Sequence, residues 1–245
     1  MARERAKIRL HVDAALGSGQ RVALGRDQAH YLAQVMRQQV GAAVGLFNGR
    51  DGEWRARIDA ISRKAAELVC EARVSAQTGP PDLWLLFAPI KKARTDFIAE
   101  KAAEMGCRRI VPVFTRLTDS QRVNADRLRA HAIEAAEQCG LVSVPEVTEA
   151  VPLERLLEDW PEERRIMFCD ESGQGGAALD ALGAAGAGPW AVLTGPEGGF
   201  SAEEAARLRA MPGAVAVSLG PRIMRADTAA VAALALWQAA LGDWR

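Results

Sequence analysis

From residue 83 onward, short apolar runs alternate with segments that have helical spacing of polar and apolar residues. The apolar runs are continuous, which is typical of strands buried on both faces of a parallel sheet. We therefore predict an α/β domain with helices on both faces of that sheet. The predicted strands are 83–89, 109–114, 146–148, 165–170, 190–194 and 214–219, and the predicted helices are 93–105, 125–139, 153–159, 201–210 and 228–241.

The first 75 residues have a different pattern, with short β segments around one helix. Strands are predicted at 21–24, 43–47, 54–61 and 65–73, and a helix at 27–37 with Asp27 as its N-cap. This pattern predicts a small, mostly antiparallel β-barrel. Gly79, Pro80 and Pro81 then interrupt regular structure. We therefore predict two domains, residues 1–76 and 80–245.

Composition excludes several classes of protein. With 49% hydrophobic and 25% charged residues the chain is typical of a globular protein. The longest apolar stretches, such as 229–235, are far shorter than the roughly 18 to 20 residues that span a bilayer. The N-terminus lacks the apolar core of a secretory signal, so we expect a cytoplasmic protein. Its 4 cysteines form no CxxC pair and only 3 histidines are present, so no metal site is expected.

The net charge of zero hides an uneven distribution along the chain. Residues 1–75 hold 13 Lys and Arg against 8 Asp and Glu, whereas residues 141–245 hold 8 against 15. A basic N-terminal part on a neutral chain favours a phosphate-rich partner, because cations near phosphates release condensed counterions. The alternative is that these basic side chains are exposed to solvent and bind no phosphate-rich partner.

The first candidate site follows the predicted strand 190–194. A turn with three glycines (Gly195, Gly198, Gly199) leads into a helix, where Ser201 and Glu204 have the spacing of a capping box. Glycine is required where the backbone adopts positive φ or closely approaches a ligand. The turn matches neither a Walker A loop nor GxGxxG, which argues against P-loop chemistry and ordinary dinucleotide binding. A tight turn without a ligand is the structural alternative.

The second candidate site follows the predicted strand 214–219. Gly220 begins an irregular stretch that carries Arg222 and Arg225, and Asp227 or Thr228 can cap the next helix. Two arginines three residues apart can hold a phosphate or a carboxylate. Ile223 and Met224 between them suit contact with an aromatic base. Because ligands of parallel sheets bind at the carboxyl ends of the strands, we expect both turns to serve one site.

The two turns together resemble the paired signature of the ribosomal RNA small subunit methyltransferase E family, which belongs to the SPOUT class of knotted α/β methyltransferases. The matching segments are 195–201 and 219–229, and the likeness extends upstream to 91–94, 100–107, 110–112 and 137–140. His30 with 35–37, followed by 46–49, resembles that family's PUA-like barrel. Met224 and Asp227 stand where the family usually has Leu and Glu.

The resemblance implies a C-terminal SPOUT-type α/β knot with a parallel sheet, preceded by a small PUA-like β-barrel. It also implies S-adenosyl-L-methionine as cofactor, a homodimer, and methylation of N3 of a uridine in small-subunit ribosomal RNA, as free RNA or in an assembled 30S subunit. The periodicity by itself shows no knot. The cofactor-binding residues expected from this resemblance are Leu193, Thr194, Gly195, Glu197, Gly198, Gly199, Leu219, Gly220, Ile223, Met224 and Cys169.

N3 of uridine carries a proton at neutral pH, so methyl transfer requires that proton to be removed or the developing anion to be stabilised. Arg225, with Arg222 beside it, is the expected catalytic group that stabilises the anion or positions the substrate. The turns contain no histidine, so Glu197, a residue of a second subunit or solvent is left as the base. A structural role for Glu197, accepting backbone N–H bonds in its own turn, is an equal alternative.

Two other functions fit the same pattern. Related knotted enzymes methylate the ribose 2′-oxygen of RNA, although the two arginines of the second turn favour a base. A ribosome assembly factor that binds RNA without catalysis would also keep the basic N-terminal part. Both glycine turns are intact, which favours an enzyme.

Overall fold

The computed structural model describes residues 6–244 and divides into two compact units. One unit comprises the chain up to Gly79 together with Ala136–Val144, and the other comprises Pro80–Ala135 and the chain from Pro145 onward. Within residues 6–244, every helix is too short or too polar to cross a bilayer. The same residues contain no cluster of His, Cys, Asp and Glu suited to a metal ion.

A five-stranded sheet forms the first unit. Its strands are β1 (Arg9–His11), β2 (Arg21–Leu24), β3 (Ala43–Phe47), β4 (Glu53–Ile61) and β5 (Ala66–Ser75), in the order β1-β3-β4-β5-β2. Strand β1 pairs in parallel with β3, and the other pairs are antiparallel. The mostly antiparallel arrangement predicted from sequence is therefore confirmed. The prediction missed β1, which has only three residues.

The helix predicted at 27–37, in the connection between β2 and β3, differs from the observed helix at both ends. Helix α1 (Arg26–His30) has Gly25 as its N-cap and continues as a π-helical turn, Tyr31–Val35. Asp27 lies in the first turn, so the prediction that it caps the helix is wrong. The extended backbone of Gly25 already accepts the first helical bond, from the N–H of Ala29. The helix therefore begins at Arg26, one residue before Asp27, the residue predicted to cap it.

The second unit contains an eight-stranded parallel sheet in the order β11-β13-β10-β12-β6-β7-β8, with β9 paired to β7. The central strand β12 is buried at every position because its neighbours and the helices cover both faces. The parallel sheet predicted from continuous apolar runs is confirmed. Its strands are β6 (Leu83–Phe87), β7 (Arg109–Phe114), β8 (Glu146–Val147), β9 (Val151–Pro152), β10 (Arg165–Cys169), β11 (Gly176–Ala177), β12 (Trp190–Thr194) and β13 (Ala214–Ser218).

Six helices accompany this sheet: α2 (Lys92–Glu104), α3 (Ala125–Cys139), α4 (Leu153–Glu158), α5 (Ala178–Ala185), α6 (Ala202–Ala210) and α7 (Ala226–Leu241). Helices α4 and α6 bury Leu157 and Leu208 in one apolar core with Phe168 and Leu193 of the sheet. Helix α7 packs against α2, α5 and β12. Both faces of the sheet are therefore covered, as predicted.

The start of α7 is the second place where a cap was wrongly predicted. Arg225 is the N-cap, with an extended backbone, and its carbonyl accepts the N–H of Ala229. Asp227 accepts only the N–H of Thr228, its neighbour. The helix therefore begins at Ala226, two or three residues before the position expected from a cap at Asp227 or Thr228.

At the amino edge of the sheet, where β6, β10 and β12 begin, the buried Arg164 forms an ion pair with the half-buried Asp82. Arg164 donates to both carboxylate oxygens of Asp82 at 3.0 and 3.1 Å and to the carbonyl of Trp190 at 3.1 Å. Its guanidinium lies 3.8 Å from the ring centroid of Trp84, and that of Arg109 lies 4.2 Å from it. The charges at this edge are thus paired and stacked within the protein.

Candidate active site

The carboxyl ends of β10, β12 and β13 open into a cavity of about 950 Å³. Both predicted glycine turns contribute to it, as expected for ligands of a parallel sheet. Ten of the predicted site residues line it: Cys169, Thr194, Gly195, Glu197, Gly199, Leu219, Gly220, Arg222, Ile223 and Met224.

Three predicted site residues are not among those that line the cavity. Leu193 is fully buried in the core shared with α6, because side chains alternate along β12. A Cβ on Gly198 would lie 3.3 Å from Leu117, outside the lining. Arg225 is exposed at the start of α7. Any role of Leu193 and Gly198 at the site is through their backbone.

The first glycine turn is held by a helix cap and by an aromatic pair. Ser201 and Glu204 form the predicted capping box, with bonds of 2.9 and 3.2 Å. Behind the turn, Phe200 packs edge-to-face on Phe168 at 5.0 Å. A Cβ on Gly195 would lie 2.9 Å from the ring of Phe200, so glycine is required there for packing of the turn itself.

Glu171 has the structural role that sequence analysis considered for Glu197. One oxygen of the Glu171 carboxylate accepts the N–H of Phe200 at 2.9 Å. Gly199 has a φ of 71°, and a Cβ there would collide with the same carboxylate. Glu197 is exposed, lines the cavity and makes no hydrogen bond within residues 6–244. The structural role suggested for Glu197 is therefore wrong, and its carboxylate faces the cavity without a protein partner in those residues.

Asp170, beside Glu171, fixes the end of β10 to helix α6. Its side chain is only 2% exposed and accepts from the guanidinium of Arg209 at 2.7 and 2.9 Å. Burial by itself would raise the pKa of Asp170, but the hydrogen bonds from Ser172 and Arg209 outweigh it and hold that pKa below its ordinary value. The loop that carries Glu171 is therefore anchored by an ionised carboxylate at neutral pH.

The second glycine turn is the open side of the cavity. Gly220 has a φ of 112°, a conformation that other residues rarely adopt, and its N–H donates to the hydroxyl of Ser218 at 3.2 Å. Arg222 is exposed and makes no hydrogen bond or ion pair within the described part of the chain. Ile223 is 93% exposed. An apolar side chain this exposed at a cavity rim is available for a ligand or a partner.

Two walls of the cavity were missed by sequence analysis. Ala178 and Leu179 of α5 form one, and Ala229 and Leu236 of α7 form the other. They come from helices whose position depends on how the sheet is ordered, and no local motif marks them.

Cys169 forms part of the floor of the cavity as a neutral thiol. Burial, with a further contribution from the charge of Glu171, raises the pKa of Cys169 to about 12. The thiol is therefore protonated at neutral pH and is not a nucleophile there.

Two arginines lie at the start of α7. Arg225 makes no side-chain hydrogen bond or ion pair within residues 6–244, whereas Arg94 of α2 lies 3.7 Å from the carboxylate of Asp227. Lys91 and Lys92, three and two residues before Arg94 in the sequence, are exposed. A guanidinium at the edge of a cavity without a protein partner, as at Arg222, suits an anionic substrate.

Two sequence families match this chain. The family described as RNA methyltransferase domain matches residues 77–238, and the family described as RNA methyltransferase PUA domain matches residues 24–70. The chain belongs to the RNA methyltransferase family.

Among curated relatives, the chain is 28% identical to the ribosomal RNA small subunit methyltransferase E of Rickettsia conorii, over 93% of each chain. It is 29% identical to the protein of the same name from Synechocystis, over 87% of this chain and 71% of the relative. The likeness to this enzyme type therefore covers both units.

Solved structures extend the likeness to three dimensions. A methyltransferase of Legionella pneumophila, solved with bound S-adenosylmethionine, superimposes with a TM-score of 0.87 at 28% identity, over 98% of this chain and 100% of the other. The ribosomal RNA small subunit methyltransferase E of Neisseria gonorrhoeae, also bound to S-adenosyl methionine, gives 0.87 at 26% identity, over 97% and 99%. The predicted fold class, a SPOUT-type methyltransferase domain after a PUA-like domain, is confirmed.

Proposed function

We propose that this protein transfers the methyl group of S-adenosyl-L-methionine to N3 of a uridine in small-subunit ribosomal RNA. The observation that carries the proposal is the cavity at the carboxyl ends of β10, β12 and β13, framed by both glycine turns. It occurs in a chain whose relatives are named for methylation of small-subunit ribosomal RNA and whose structural neighbours were solved with the same cofactor.

The residues of the cavity fit this cofactor. Its volume of about 950 Å³ accommodates a nucleoside with an amino-acid tail. Backbone is accessible at Gly195 and Gly220, and the apolar side chains of Leu219 and Met224 suit an adenine ring. The carboxylates of Glu171 and Glu197 suit hydroxyl and ammonium groups. When bound, the cofactor supplies a methyl group on a positively charged sulfur, which leaves as a neutral thioether.

The protein's own contribution is to hold the uracil and handle its charge. As the bond from N3 to the methyl carbon forms and the carbon–sulfur bond breaks, the N3 proton passes to a base. We infer that Arg222, which lines the cavity, and Arg225, which is exposed at the start of α7 outside the lining, stabilise negative charge on the uracil. The inference is supported by the absence of a neutralising side chain for either guanidinium within residues 6–244. Glu197, exposed and facing the cavity, is the base this chain itself offers; a second subunit or solvent are the alternatives.

The PUA-like domain, residues 1–76 by our assignment, delivers the RNA, and residues 80–245 perform the transfer. The matched PUA family and the excess of basic residues in 1–75 support this division. Deleting residues 1–79 is expected to leave S-adenosyl-L-methionine affinity intact and to remove most RNA affinity. Equal methylation by the truncated and full chains would show that the first domain is structural only.

We further propose that the enzyme works in the cytoplasm as a homodimer. Ile223, with 93% of its surface exposed, and Leu179, with 51%, form an apolar rim on the cavity that a second copy would cover. Ile223→Asp is expected to give monomers in analytical ultracentrifugation. A wild-type protein that sediments as a monomer at micromolar concentration would overturn the dimer.

The decisive experiment maps modified nucleotides in small-subunit ribosomal RNA from cells with and without this protein by mass spectrometry. The expected result is one uridine that loses a base methyl group when the protein is absent. A methyl group located on a ribose would reassign the enzyme to 2′-O transfer. No methylation difference, together with no cofactor binding by calorimetry, would leave only an RNA-binding role.

A further inference from the structure

The first unit contains a second cavity that the proposed methyl transfer does not use. It has a volume of about 410 Å³ and is lined by Lys7, Tyr31, Met36 and Gln138, among others. The lining combines an aromatic ring, a thioether, an ammonium group and amide donors and acceptors with the guanidinium of Arg9 and the carboxylate of Glu137. These are the groups that bind a nucleobase by stacking and by hydrogen bonds to its edge.

The segment beside this cavity exposes apolar side chains at a strained turn. Val35 and Val40 are each 60% exposed, although the rest of the π-helical turn packs Leu32 into the core. Arg37 has a φ of 49°, and no other non-glycine residue of the described chain has a positive φ. The turn is held by bonds from the N–H of Gln38 to the carbonyl of Leu32 and from its side chain to that of Met36. Strain of this kind is typical of binding sites.

The charges of the first unit point to the same segment. On the sheet, Arg21 is paired with Asp59 and Glu67, and Arg57 with Asp59 and Glu71. Arg37 has no side-chain partner within residues 6–244. Arg21 and Arg57 are thus neutralised within the sheet, whereas Arg37, like the exposed Arg63 and Arg73, is not, and Arg37 differs from those two in lying next to exposed apolar groups at a strained turn.

We propose that this cavity and the Val35–Val40 turn form a binding site for an unpaired nucleobase of the ribosomal RNA, separate from the base that is methylated. The base stacks against Tyr31 and Met36, Lys7 and Gln138 contact its edge or ribose, and Arg37 holds the adjoining phosphate. The inference rests on the proposed function only in taking small-subunit ribosomal RNA as the ligand. It adds a second contact that fixes the register of the RNA on the enzyme.

Tyr31 is the only tyrosine in the sequence, which permits a direct test. Protein made with 3-fluorotyrosine has one fluorine NMR signal, at the wall of the cavity. Titration with a transcript of small-subunit ribosomal RNA is expected to shift or broaden that signal in the full chain. A signal that does not change when the RNA is fully bound would overturn the proposal.

Substitutions at the turn test its part in affinity. Arg37→Gly removes the guanidinium and relieves the positive φ, so the variant should be at least as thermally stable as the wild type. Its dissociation constant for the transcript is expected to rise about tenfold, and the slope of log K against log salt to fall by about one. Met36→Ser should weaken binding with no change in that slope, since it removes stacking rather than a phosphate contact.

Arg63→Ala is the matched control. Arg63 is an exposed cation in the connection between β4 and β5, without a side-chain partner among residues 6–244. If binding is diffuse attraction to a basic surface, Arg63→Ala and Arg37→Gly will weaken it equally, and the proposed site is wrong. If the site is real, only the Arg37 and Met36 variants lose affinity.

The outcome can be separated from that of the proposed function. Cofactor affinity and the turnover at saturating RNA are expected to be unchanged in Arg37→Gly, with the loss confined to half-saturation by RNA. If the wild type methylates no RNA but its Tyr31 signal still responds to the transcript, the methylation proposal fails and the nucleobase site stands.

Discussion

The two edges of the parallel sheet use the same residue type in opposite ways. At the amino edge, Arg164 is buried, bonded to Asp82 and stacked on Trp84. At the carboxyl edge, Arg222 and Arg225 are exposed and have no side-chain partner in residues 6–244. At the amino edge the arginines are paired or stacked within the protein, whereas at the carboxyl edge Arg209 is paired with Asp170 but Arg222 and Arg225 are left for a ligand or a partner.

This difference between the two edges indicates that the amino ends of the strands contribute to stability, whereas their carboxyl ends form the functional site. Burial lowers the pKa of Arg164, and Asp82 partly offsets that effect. A guanidinium so placed contributes to holding β6, β10 and β12 together. The glycine turns at the other end are positioned by Asp170, Glu171 and the capping box of α6 without filling the cavity. Substitutions at the two edges should therefore change different measured quantities.

The largest expected effect is on turnover at the carboxyl edge. Arg225→Ala should lower the single-turnover rate by about 100- to 1000-fold at saturating cofactor and RNA, because one charge-stabilising donor is lost in the transition state. Arg225→Lys should recover only part of this rate, since it keeps the charge but not the planar fork. The free energy of unfolding should not change. A wild-type rate for Arg225→Ala would remove the catalytic role, and a defect cured by more RNA would assign Arg225 to phosphate binding.

Arg164→Ala should show the reverse behaviour. It removes the bonds to Asp82 and to the carbonyl of Trp190 and the stacking on Trp84, and is expected to cost about 3 kcal/mol of unfolding free energy. Urea denaturation followed by tryptophan fluorescence measures this. At temperatures where the variant is folded, its cofactor affinity should equal that of the wild type. An unchanged urea midpoint would show that the buried pair contributes nothing net.

A pair of glycines gives a finer test of the same comparison. Gly220, at the cavity, and Gly213, at the amino end of β13, both have positive φ and free space where a Cβ would lie. Replacing either by Ala should cost about 1 to 2 kcal/mol of stability through backbone strain. Only Gly220→Ala should weaken S-adenosyl-L-methionine binding, by about tenfold in calorimetry, as its loop shifts to relieve the strain. Equal affinities in both variants would separate Gly220 from the cofactor.

The smallest effect concerns thiol chemistry. With a pKa of about 12, Cys169 stays protonated at pH 8 and should resist iodoacetamide in the folded protein. Cys139 is exposed and should be alkylated under the same conditions. Mass spectrometry of digested protein distinguishes the two sites. Rapid labelling of Cys169 at pH 8 would mean that the cavity floor is open to solvent and its thiol more acidic.

Much of this fold was predictable where a local pattern has one physical solution. Strands 109–114 and 190–194 were predicted with their observed ends, because continuous apolar runs bounded by polar or glycine residues fit only a buried strand. The capping box at Ser201 was found for the same reason. Strands of two residues, such as β8 and β11, were overestimated or missed, since pairing with a neighbour defines them and no periodicity can.

The site was predictable only in part. The glycine turns are local and were found, but α5 and α7 were not expected as walls because strand order decides where they pack. The structural role considered for Glu197 belongs to Glu171, to which the sequence analysis assigned no role, for a related reason. Both carboxylates lie near one turn, and only the approach of β10 to β12 determines which of them accepts the N–H of Phe200.

The order of strands in the sheet also sets how this protein reaches its folded state. Strand β6 is synthesised early, but one of the strands that it pairs with is β12. Leu83 of β6 pairs with Trp190 of β12, which follows it by roughly 100 residues in the chain. Loop closure over such distances is slow, and an apolar strand that awaits its partner is prone to associate with other chains. The walls of the cavity extend to Leu236. We therefore expect the nascent chain to be prone to aggregation until α7, which completes the wall of the cavity, has been synthesised.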